Sequence, residues 1–343
     1  DGPRRTEGLW VLPDDAFAAL VERKYLGLTV DEIRDLGEHY LHEYRDSRAV
    51  LARELTASGI IEEAREVATG EVPRSFDVAL GQIRELVAES RRFVFGRGLA
   101  PSLEREEMRV LQTPAFLEPL IPFAAMLEAG VFASVQRSIY MVTPTTGKDL
   151  AKLARTRFSG IAVHEGYPGH HLQHSYSHRH NSVYRNNPFC GFPIDGAARF
   201  GLDLVEGWAH YTEEMMKDRG FHDSPQSRFL MVEDQLFRAV RILIDVDLSR
   251  GRMTMAEAQQ FLQSEVGMGK KGAEAEVRRY TTSPTYQLCY LVGKHKIERF
   301  RDEVRVLDGG DDRSFHEIIL RGGCLPVEMI RKEYLASRGE KIR

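Results

Sequence analysis

The sequence has little cysteine, with only Cys190, Cys289 and Cys324 among 343 residues. Three cysteines that are odd in number and far apart do not form a disulfide framework, and their spacing does not match a thiolate zinc knuckle. Proteins in oxidising compartments usually pair their cysteines, so this pattern favours a reducing compartment. We therefore expect a cytoplasmic protein.

The sequence also lacks long apolar runs and any strong excess of charge. No segment approaches the roughly 20 apolar residues that a membrane-spanning helix needs. The first ten residues, DGPRRTEGLW, contain no apolar signal core. The formal net charge is −4 and the pI is near 6.4. This balance argues against a nucleic acid or an anionic lipid surface as a partner.

Helical patterns dominate what is present. In residues 28–46, Thr29 is a predicted N-cap, Glu32 follows three residues later, and apolar positions then recur at helical spacing. Similar patterns predict helices at 13–23, 48–68, 77–95, 148–180, 199–219, 224–249, 254–266, 270–282, 284–302 and 313–322. Residues 107–143 are rich in β-branched and aromatic residues and predict two or three short strands. The sequence thus predicts a mainly α fold with a small β element.

The segment IAVHEGYPGHHLQH (161–174) carries the strongest chemical signal. In a zinc hydrolase, two neutral imidazoles on one helix face bind the ion, and a glutamate between them activates water and carries its proton. His164 and Glu165 match the start of that pattern, but Pro168 stands one turn after His164. On a straight helix, His170 would lie about 120° away around the axis, and the next histidine roughly 10 Å along it. Neither could share a metal ion with His164.

The Gly-Tyr-Pro-Gly sequence offers a solution to this spacing. Pro168 cannot donate a backbone hydrogen bond to the carbonyl of His164. Gly166 and Gly169 can adopt conformations that other residues avoid. We predict a bulge within the helix that loops out two residues and brings His170 one turn after His164.

A third ligand is expected from another helix. Glu206, within LVEGWAHYTEEM (204–215), is the best candidate, because it is a carboxylate on an otherwise apolar and aromatic face. Gly207 beside it would permit a close approach of a neighbouring helix. Two alternatives stay open. His170 and His174 have unbroken i, i+4 spacing but no glutamate between them, and the segment could be a His-rich surface helix without a metal.

Three stretches, HEGYPGHHLQ, EGWAHY and PTYQLCYLVGKHKI, resemble the bacterial family known as domain of unknown function, family 885. Members of that family resemble mainly helical, gluzincin-type zinc peptidases such as thermostable carboxypeptidase and thimet oligopeptidase. Those enzymes use His-Glu-x-Gly-His and a downstream glutamate. The resemblance implies one zinc ion per chain, held by His164, His170 and Glu206, with Glu165 as the catalytic base.

The resemblance runs from about residue 8 to the end, with two departures. Family members are usually longer, and their N-terminal helical part has no counterpart here, so a separate N-terminal piece or a homo-oligomer is an expected partner. The family segment that resembles RAVRILIDVDL tends to end in His, where this chain has Ser249. We expect a single catalytic domain over residues 1–343, with the metal site within 148–300.

Further residues are predicted to support catalysis. We expect Tyr290 to donate a hydrogen bond to the oxyanion that forms on the attacked carbonyl, with Tyr286, one turn earlier, as the alternative. Arg238 and Arg241 are candidates for binding the terminal carboxylate of a peptide. An ion pair between Arg241 and Asp245, one turn later, is the structural alternative. Three histidines are expected to hydrogen-bond to the ligands or to pack near them: His171, His174 and His210.

These features favour a zinc-dependent metallohydrolase, specifically a peptidase that acts on short peptides. One alternative is a redox enzyme with two metal ions in a helical bundle, because Glu206, His210 and Glu213 lie along one predicted helix face. Such enzymes usually need two Glu-x-x-His elements, and the sequence has no convincing pair. The other alternative is a metal-bound binding or assembly protein without catalytic activity.

Overall fold

The structure is a computed structural model that describes residues 8, 10–121, 123–182, 184–186 and 201–340. Within these residues the chain forms thirteen α-helices, three β-strands and a 3-10 helix over Gly147–Leu153. The helices are α1 (Asp14–Arg23), α2 (Val30–Leu55), α3 (Ile61–Thr69), α4 (Phe76–Gly96), α5 (Arg155–Glu165), α6 (His170–Ser177), α7 (Leu202–Asp218), α8 (Pro225–Ser249), α9 (Met255–Val266), α10 (Lys270–Thr282), α11 (Cys289–Asp308), α12 (Asp312–Arg321) and α13 (Val327–Ser337). The strands are β1 (Glu106–Gln112), β2 (Ala124–Leu127) and β3 (Gln136–Val142). The prediction of a mainly α fold with a small sheet near 107–143 is confirmed.

Helix starts follow the capping signals in the sequence. The Thr29 hydroxyl accepts a hydrogen bond from the N–H of Glu32 at 3.2 Å, and the Glu32 carboxylate accepts one from the N–H of Thr29 at 2.7 Å. Ser224 before α8 and Thr254 before α9 form the same reciprocal pair with the residue three positions later. Each cap satisfies N–H groups that the first turn leaves unpaired and stabilises the helix by about 1 kcal/mol.

Two predicted helices near the N-terminus have the wrong bounds. α2 runs without interruption to Leu55, and no glycine or proline lies between Asp46 and Gly59 to end it earlier. The predicted helix 48–68 is therefore the end of α2 followed by the separate α3. The predicted boundary between residues 46 and 48 lies in continuous helix.

The C-terminal part differs from the prediction in two places. The predicted helix 284–302 begins only at Cys289, and Thr285 before it has a positive φ of 68° that a helix does not allow. α13 was not predicted, although its buried side chains Val327, Ile330 and Tyr334 follow helical spacing. Residues 187–200 of the predicted loop 186–201, which include Cys190, lie outside the described residues.

The small sheet supports α5. Its strand order is β1-β3-β2, with β1 parallel to β3 and β2 antiparallel to β3. Tyr140 and Val142 of the central strand β3 are buried in the same apolar core as Phe158 and Val163 of α5. Because the sheet packs against α5 just before His164, it fixes the position of the first predicted ligand.

Two apolar cores stabilise the helices. One joins the sheet with α4, α5, α7 and α11, and the other joins α2 with α8, α9 and α10. α7 and α11 approach each other at Gly207 and Gly293, where a Cβ added to Gly207 would lie 2.4 Å from the carbonyl carbon of Gly293. The predicted close helix approach beside Glu206 is therefore present. None of the described helices is long and apolar enough to cross a membrane.

Candidate metal centre

The segment between α5 and α6 brings the ends of both helices together. α5 ends at Glu165 and α6 begins at His170, so the predicted continuous helix with an internal bulge is wrong. Gly166 (φ −104°, ψ −101°) and Gly169 (φ −64°, ψ −138°) both lie outside the helical region. The N–H of Gly169 donates to the carbonyl of Val163 at 3.1 Å, two residues further back than in an α-helix. The chain absorbs two extra residues as predicted, but by breaking the helix.

Two close contacts fix this break. Gly169 packs against α5 so tightly that a Cβ there would lie 1.9 Å from the carbonyl oxygen of His164. From α7, the indole N–H of Trp208 donates to the carbonyl oxygen of Pro168 at 2.8 Å. Trp208 is fully buried, so this hydrogen bond satisfies two polar groups that water does not reach. The sequence analysis missed Trp208, although it lies two residues after Glu206.

The three predicted ligands converge at the break. The Nε2 atoms of His164 and His170 lie 3.6 Å and 3.4 Å from Oε2 of Glu206. One donor atom from each of the three residues lies within 4.8 Å of the others, and each residue is at most 9% exposed. Two ligands at about 2.0–2.1 Å from a tetrahedral zinc ion stand about 3.4 Å apart, so the spacing fits one ion. We call these three residues the first cluster.

The oxygen that faces both imidazoles is the one that needs a cation. Among the described residues, Oε2 of Glu206 is buried without a hydrogen-bond partner. Its other oxygen, Oε1, accepts a hydrogen bond from the Tyr286 hydroxyl at 2.7 Å. A buried carboxylate oxygen without a partner is costly, and a bound cation removes that cost. The donor set therefore fits a zinc ion.

A second carboxylate supports His164 from behind. Nδ1 of His164 lies 2.6 Å from Oε1 of Glu213, which is on α7. Because a carboxylate only accepts hydrogen bonds, Nδ1 carries a proton, and Nε2, which faces Glu206, is the nitrogen available to bind a metal ion. This arrangement is the one that orients a histidine for metal binding.

The electrostatics of the first cluster favour positive charge. Burial alone would lower the pKa of His164, but the carboxylates of Glu206 and Glu213 outweigh it and raise that pKa to about 10. Burial alone would raise the pKa of Glu206, yet the imidazoles of His164 and His170 hold it well below its usual range. The side chains thus stabilise a proton between them, and a divalent cation can take its place.

The predicted base, Glu165, is the last residue of α5 and is half-buried. In the described part of the chain, no hydrogen bond or ion pair holds its carboxylate. The negative charge of Glu165 contributes to the raised pKa of His164. It also contributes to the raised pKa of Tyr140, for which burial is the larger cause. Among the described residues, the carboxylate therefore lies near the ligands without a structural partner.

Tyr286, the alternative to Tyr290, is the tyrosine that contacts the first cluster directly. The Tyr290 hydroxyl lies 3.1 Å from the Tyr286 hydroxyl, and so one step further from Glu206. Because Tyr286 donates its proton to Glu206, the Tyr290 hydroxyl is the donor in the bond between the tyrosines. Burial and the charge of Glu206 raise the pKa of Tyr290 to about 12, so it is a neutral donor near pH 7.

Both predicted arginines lie against the ring of Tyr290. The guanidinium carbons of Arg238 and Arg241 are 5.7 Å and 4.3 Å from the ring centroid. The expected ion pair between Arg241 and Asp245 is wrong, because Arg241 Nη2 donates to Oε1 of Gln287 at 3.0 Å instead. The structure thus brings both arginines toward the tyrosines of the site.

Asp245 has a different structural role. Its carboxylate accepts hydrogen bonds from the backbone N–H groups of Thr285 and Gln287 at 3.1 Å and 3.2 Å. Ser249, where the family resemblance favours histidine, donates to the same carboxylate at 3.3 Å. These bonds hold the non-helical turn that carries Tyr286, so Asp245 acts on the site through the position of that tyrosine.

His171 and His210 do not contact the metal-facing atoms. His171 is fully buried against the sheet, with Nδ1 2.8 Å from Oγ of Ser138 and Nε2 2.8 Å from Oε2 of Glu106. His210 is fully buried on α7, and Nδ1 lies 3.8 Å from Oε1 of Glu213. Burial lowers the pKa of His210 to about 4. His171 therefore ties α6 to β1 and β3, and His210 packs behind the site.

Glu213 is the supporting residue that the sequence analysis assigned to another role. The redox alternative placed Glu206, His210 and Glu213 on one helix face, and all three do lie on α7. Glu213, however, binds the far nitrogen of His164. Its spacing of seven residues from Glu206 puts both carboxylates on one face, and this signal could have identified it.

His174, the last of the predicted supporting histidines, belongs to a different group. It forms a second cluster with Glu128 and His178, in which one donor atom from each residue lies within 4.8 Å of the others. His174 and His178 are buried, and Glu128 is exposed at the surface. In the parts of the chain that the structure describes, these two clusters are the groups that could hold a metal ion.

Comparison with known proteins gives a family and a fold. A family described as bacterial protein of unknown function (DUF885) matches residues 6–333, and no curated protein matches the chain. A "putative lipoprotein" from Colwellia psychrerythraea is similar, with a TM-score of 0.79 and 21% identity over 97% of this chain and 57% of that one. Another protein so named, from Shewanella oneidensis and of unknown function, has a TM-score of 0.81 and 21% identity over 97% of this chain and 61% of its own. This chain thus spans less than two thirds of each, and the similarity shows the fold alone.

Proposed function

Because this chain belongs to the DUF885 family of bacterial proteins of unknown function, we propose its activity from its own side chains: a zinc-dependent hydrolase that cleaves short peptides. The observation that carries the proposal is the convergence of two imidazole nitrogens on one carboxylate oxygen, at 3.4 Å and 3.6 Å, in the first cluster. Three protein ligands with room for a fourth are typical of catalytic zinc sites, whereas structural sites usually have four protein ligands.

The proposed mechanism assigns one task to each residue. When bound by His164, His170 and Glu206, zinc would supply Lewis-acid chemistry that lowers the pKa of water to about 7. Glu165 takes a proton from the attacking water and delivers it to the leaving amine. Its carboxylate suits this task, because it is half-buried beside His164 and has no hydrogen-bond partner among the described residues.

The two tyrosines are proposed to divide positioning and catalysis. Tyr286 holds Oε1 of Glu206 and so leaves Oε2 for the ion. Tyr290 is the proposed oxyanion donor, since its hydroxyl can turn from Tyr286 to a substrate oxygen. Arg238 and Arg241 lie against the Tyr290 ring, where they could bind the terminal carboxylate of a peptide. This would favour cleavage near a chain end.

Cellular location and partners are part of the proposal. The two similar structures carry the name lipoprotein, and a lipoprotein belongs to the cell envelope. We therefore propose an envelope location, in place of the cytoplasmic one that the cysteines suggested. Because this chain spans 57% and 61% of those proteins, a further segment or a second subunit could complete the substrate cleft.

The test is a peptide-library digest read by mass spectrometry, with and without a chelator. The chain should cleave short peptides, lose that activity with the chelator and regain it with Zn²⁺. Glu165→Gln should lower kcat/KM about 100- to 10,000-fold, because it removes the general base. Its zinc content should not change, because Glu165 is not a ligand.

Glu54→Gln is a matched control, since Glu54 also lies at the end of a helix but is exposed. Its activity should equal that of the wild type. No cleavage of any library peptide by the zinc-loaded chain would support the catalytically silent alternative. Two iron ions per chain would support the redox alternative.

A further inference from the structure

A row of three histidines runs along α6 and the residue that directly follows it. His170, His174 and His178 follow one another at i, i+4 spacing, and the centroids of neighbouring rings are 5.9 Å and 6.2 Å apart. His170 faces Glu206 in the first cluster. The other two face Glu128, which directly follows β2. One helix face therefore presents imidazoles to two different carboxylates.

We propose that Glu128, His174 and His178, the second cluster, form a second site for a divalent transition-metal ion. Nδ1 of His174 and Nε2 of His178 lie 3.5 Å and 3.6 Å from Oε2 of Glu128. These separations are long for hydrogen bonds but match the spacing of about 3.4 Å between two ligands of one tetrahedral ion. The site shares no ligand with the first cluster.

The tautomer of His178 supports metal binding. The Gln136 side chain is oriented by its amide nitrogen, which donates to the carbonyl oxygen of Ala133 at 3.0 Å. Its Oε1 must therefore accept from Nδ1 of His178, 2.7 Å away. The proton of a neutral His178 is then on Nδ1, and the lone pair of Nε2 points at Glu128. The Nε2 lone pair and the Glu128 carboxylate oxygen repel each other unless a cation lies between them. A hydrogen bond from the far ring nitrogen, like the one from Nδ1 to Gln136, is typical of metal-binding histidines.

The donor set and its exposure suggest which ion binds. Two imidazole nitrogens and one carboxylate oxygen suit Zn²⁺, Ni²⁺ or Cu²⁺, whereas Mg²⁺ and Ca²⁺ prefer oxygen ligands. His174 and His178 are 6% and 9% exposed, whereas the Glu128 side chain is 38% exposed. The ion would therefore enter from the Glu128 side and keep water or another ligand on the open side.

The experiment counts Zn²⁺ ions per folded chain by native mass spectrometry and by competition with a chromophoric chelator. The wild type should bind two ions. Glu128→Gln and His178→Gln should each bind one, and Glu206→Gln should bind one at the second cluster. His180→Gln is the matched control, because His180 lies two residues beyond His178 and outside both clusters, and it should bind two.

Each result decides between the sites. One ion in the wild type that Glu128→Gln leaves in place would overturn the second site and leave the first cluster standing. One ion that Glu128→Gln removes and Glu206→Gln retains would support the second site against the first cluster. Glu128 is partly exposed, so its variant should fold even if His178→Gln does not, and circular dichroism checks this.

Discussion

The two histidine clusters share α6 and the same kinds of ligand, but the chain builds them differently. In the first cluster, His164 and His170 come from two helices across a break, and Glu206 comes from α7. In the second, His174 and His178 come from one uninterrupted helical segment, and Glu128 follows a strand. The first cluster therefore depends on tertiary structure around the break, and the second mainly on helical spacing.

The surroundings of the clusters also differ. Around the first, Glu213 orients His164, Tyr286 holds Glu206, and Glu165 lies nearby without a partner among the described residues. Around the second, Gln136 orients His178, and the carboxylate ligand is partly exposed. Catalysis needs a base and an oxyanion donor beside the metal, in a site that limits water. Candidates for these features surround only the first cluster within the described residues, so we propose catalysis there and metal binding alone at the second.

The largest effect is expected from Gly169→Ala, which tests whether the break builds the first cluster alone. A Cβ at this position would lie 1.9 Å from the carbonyl oxygen of His164, so the backbone must move. We expect a loss of about 3 kcal/mol in the free energy of unfolding, measured in urea. The first cluster should lose its Zn²⁺, whereas the second cluster, which lies beyond the break, should keep its ion.

Gly160→Ala is the matched control for this change. Gly160 lies inside α5, and a Cβ there would contact no atom beyond its chain neighbours and the nearby backbone of α5 within 4 Å. Alanine in a helix interior should stabilise the chain by about 0.5–1 kcal/mol and leave both ions bound. If Gly169→Ala kept both ions, the break would not be what positions the first cluster.

A smaller effect is expected when each cluster loses the residue that hydrogen-bonds to the far ring nitrogen of one of its histidines. Glu213→Gln removes the charge that orients His164, so Zn²⁺ affinity at the first cluster should fall about 10- to 100-fold. Gln136→Leu should weaken the second cluster by a similar factor, because His178 loses its acceptor. Chelator competition measures both affinities. Each variant is the control for the other, and a change at the opposite cluster would contradict their independence.

The sequence was informative where the signal is local. α8 begins within one residue of its prediction because Ser224 and Pro225 mark its start, and α4 is similarly close. The spacing of His164, Pro168 and His170 required a distortion, and the glycines around Pro168 showed where it would occur. These residues interact within two turns of chain, so their pattern carries the geometry.

Other features depend on contacts that are distant in sequence. The helix breaks instead of bulging, and in the structure Trp208 binds the Pro168 carbonyl across 40 residues. Tyr286 approaches Glu206 because Asp245 holds the turn before α11. Glu128 joins α6 only through the position of the sheet. No local pattern predicts such contacts, because they require the packing of whole helices.

The smallest effect is expected at His316, a buried histidine outside both clusters whose two ring nitrogens are both hydrogen-bonded. It is the reference for a histidine with a purely structural role. In His316, Nδ1–H donates to the carbonyl of Leu99 at 2.5 Å, and Nε2 accepts from the Tyr211 hydroxyl at 2.9 Å. Burial is the main cause that lowers its pKa from 6.5 to about 4. As pH falls from about 6.5 to about 4, the unfolded chain binds a proton that the folded chain does not, so stability is lost. Between pH 7.5 and 5.5, the wild type should lose about 1 kcal/mol more unfolding free energy than His316→Gln. Equal losses of unfolding free energy in urea titrations would show that His316 takes up a proton as readily in the folded chain as in the unfolded chain. His316 could then not serve as the structural reference for the histidines of the two clusters.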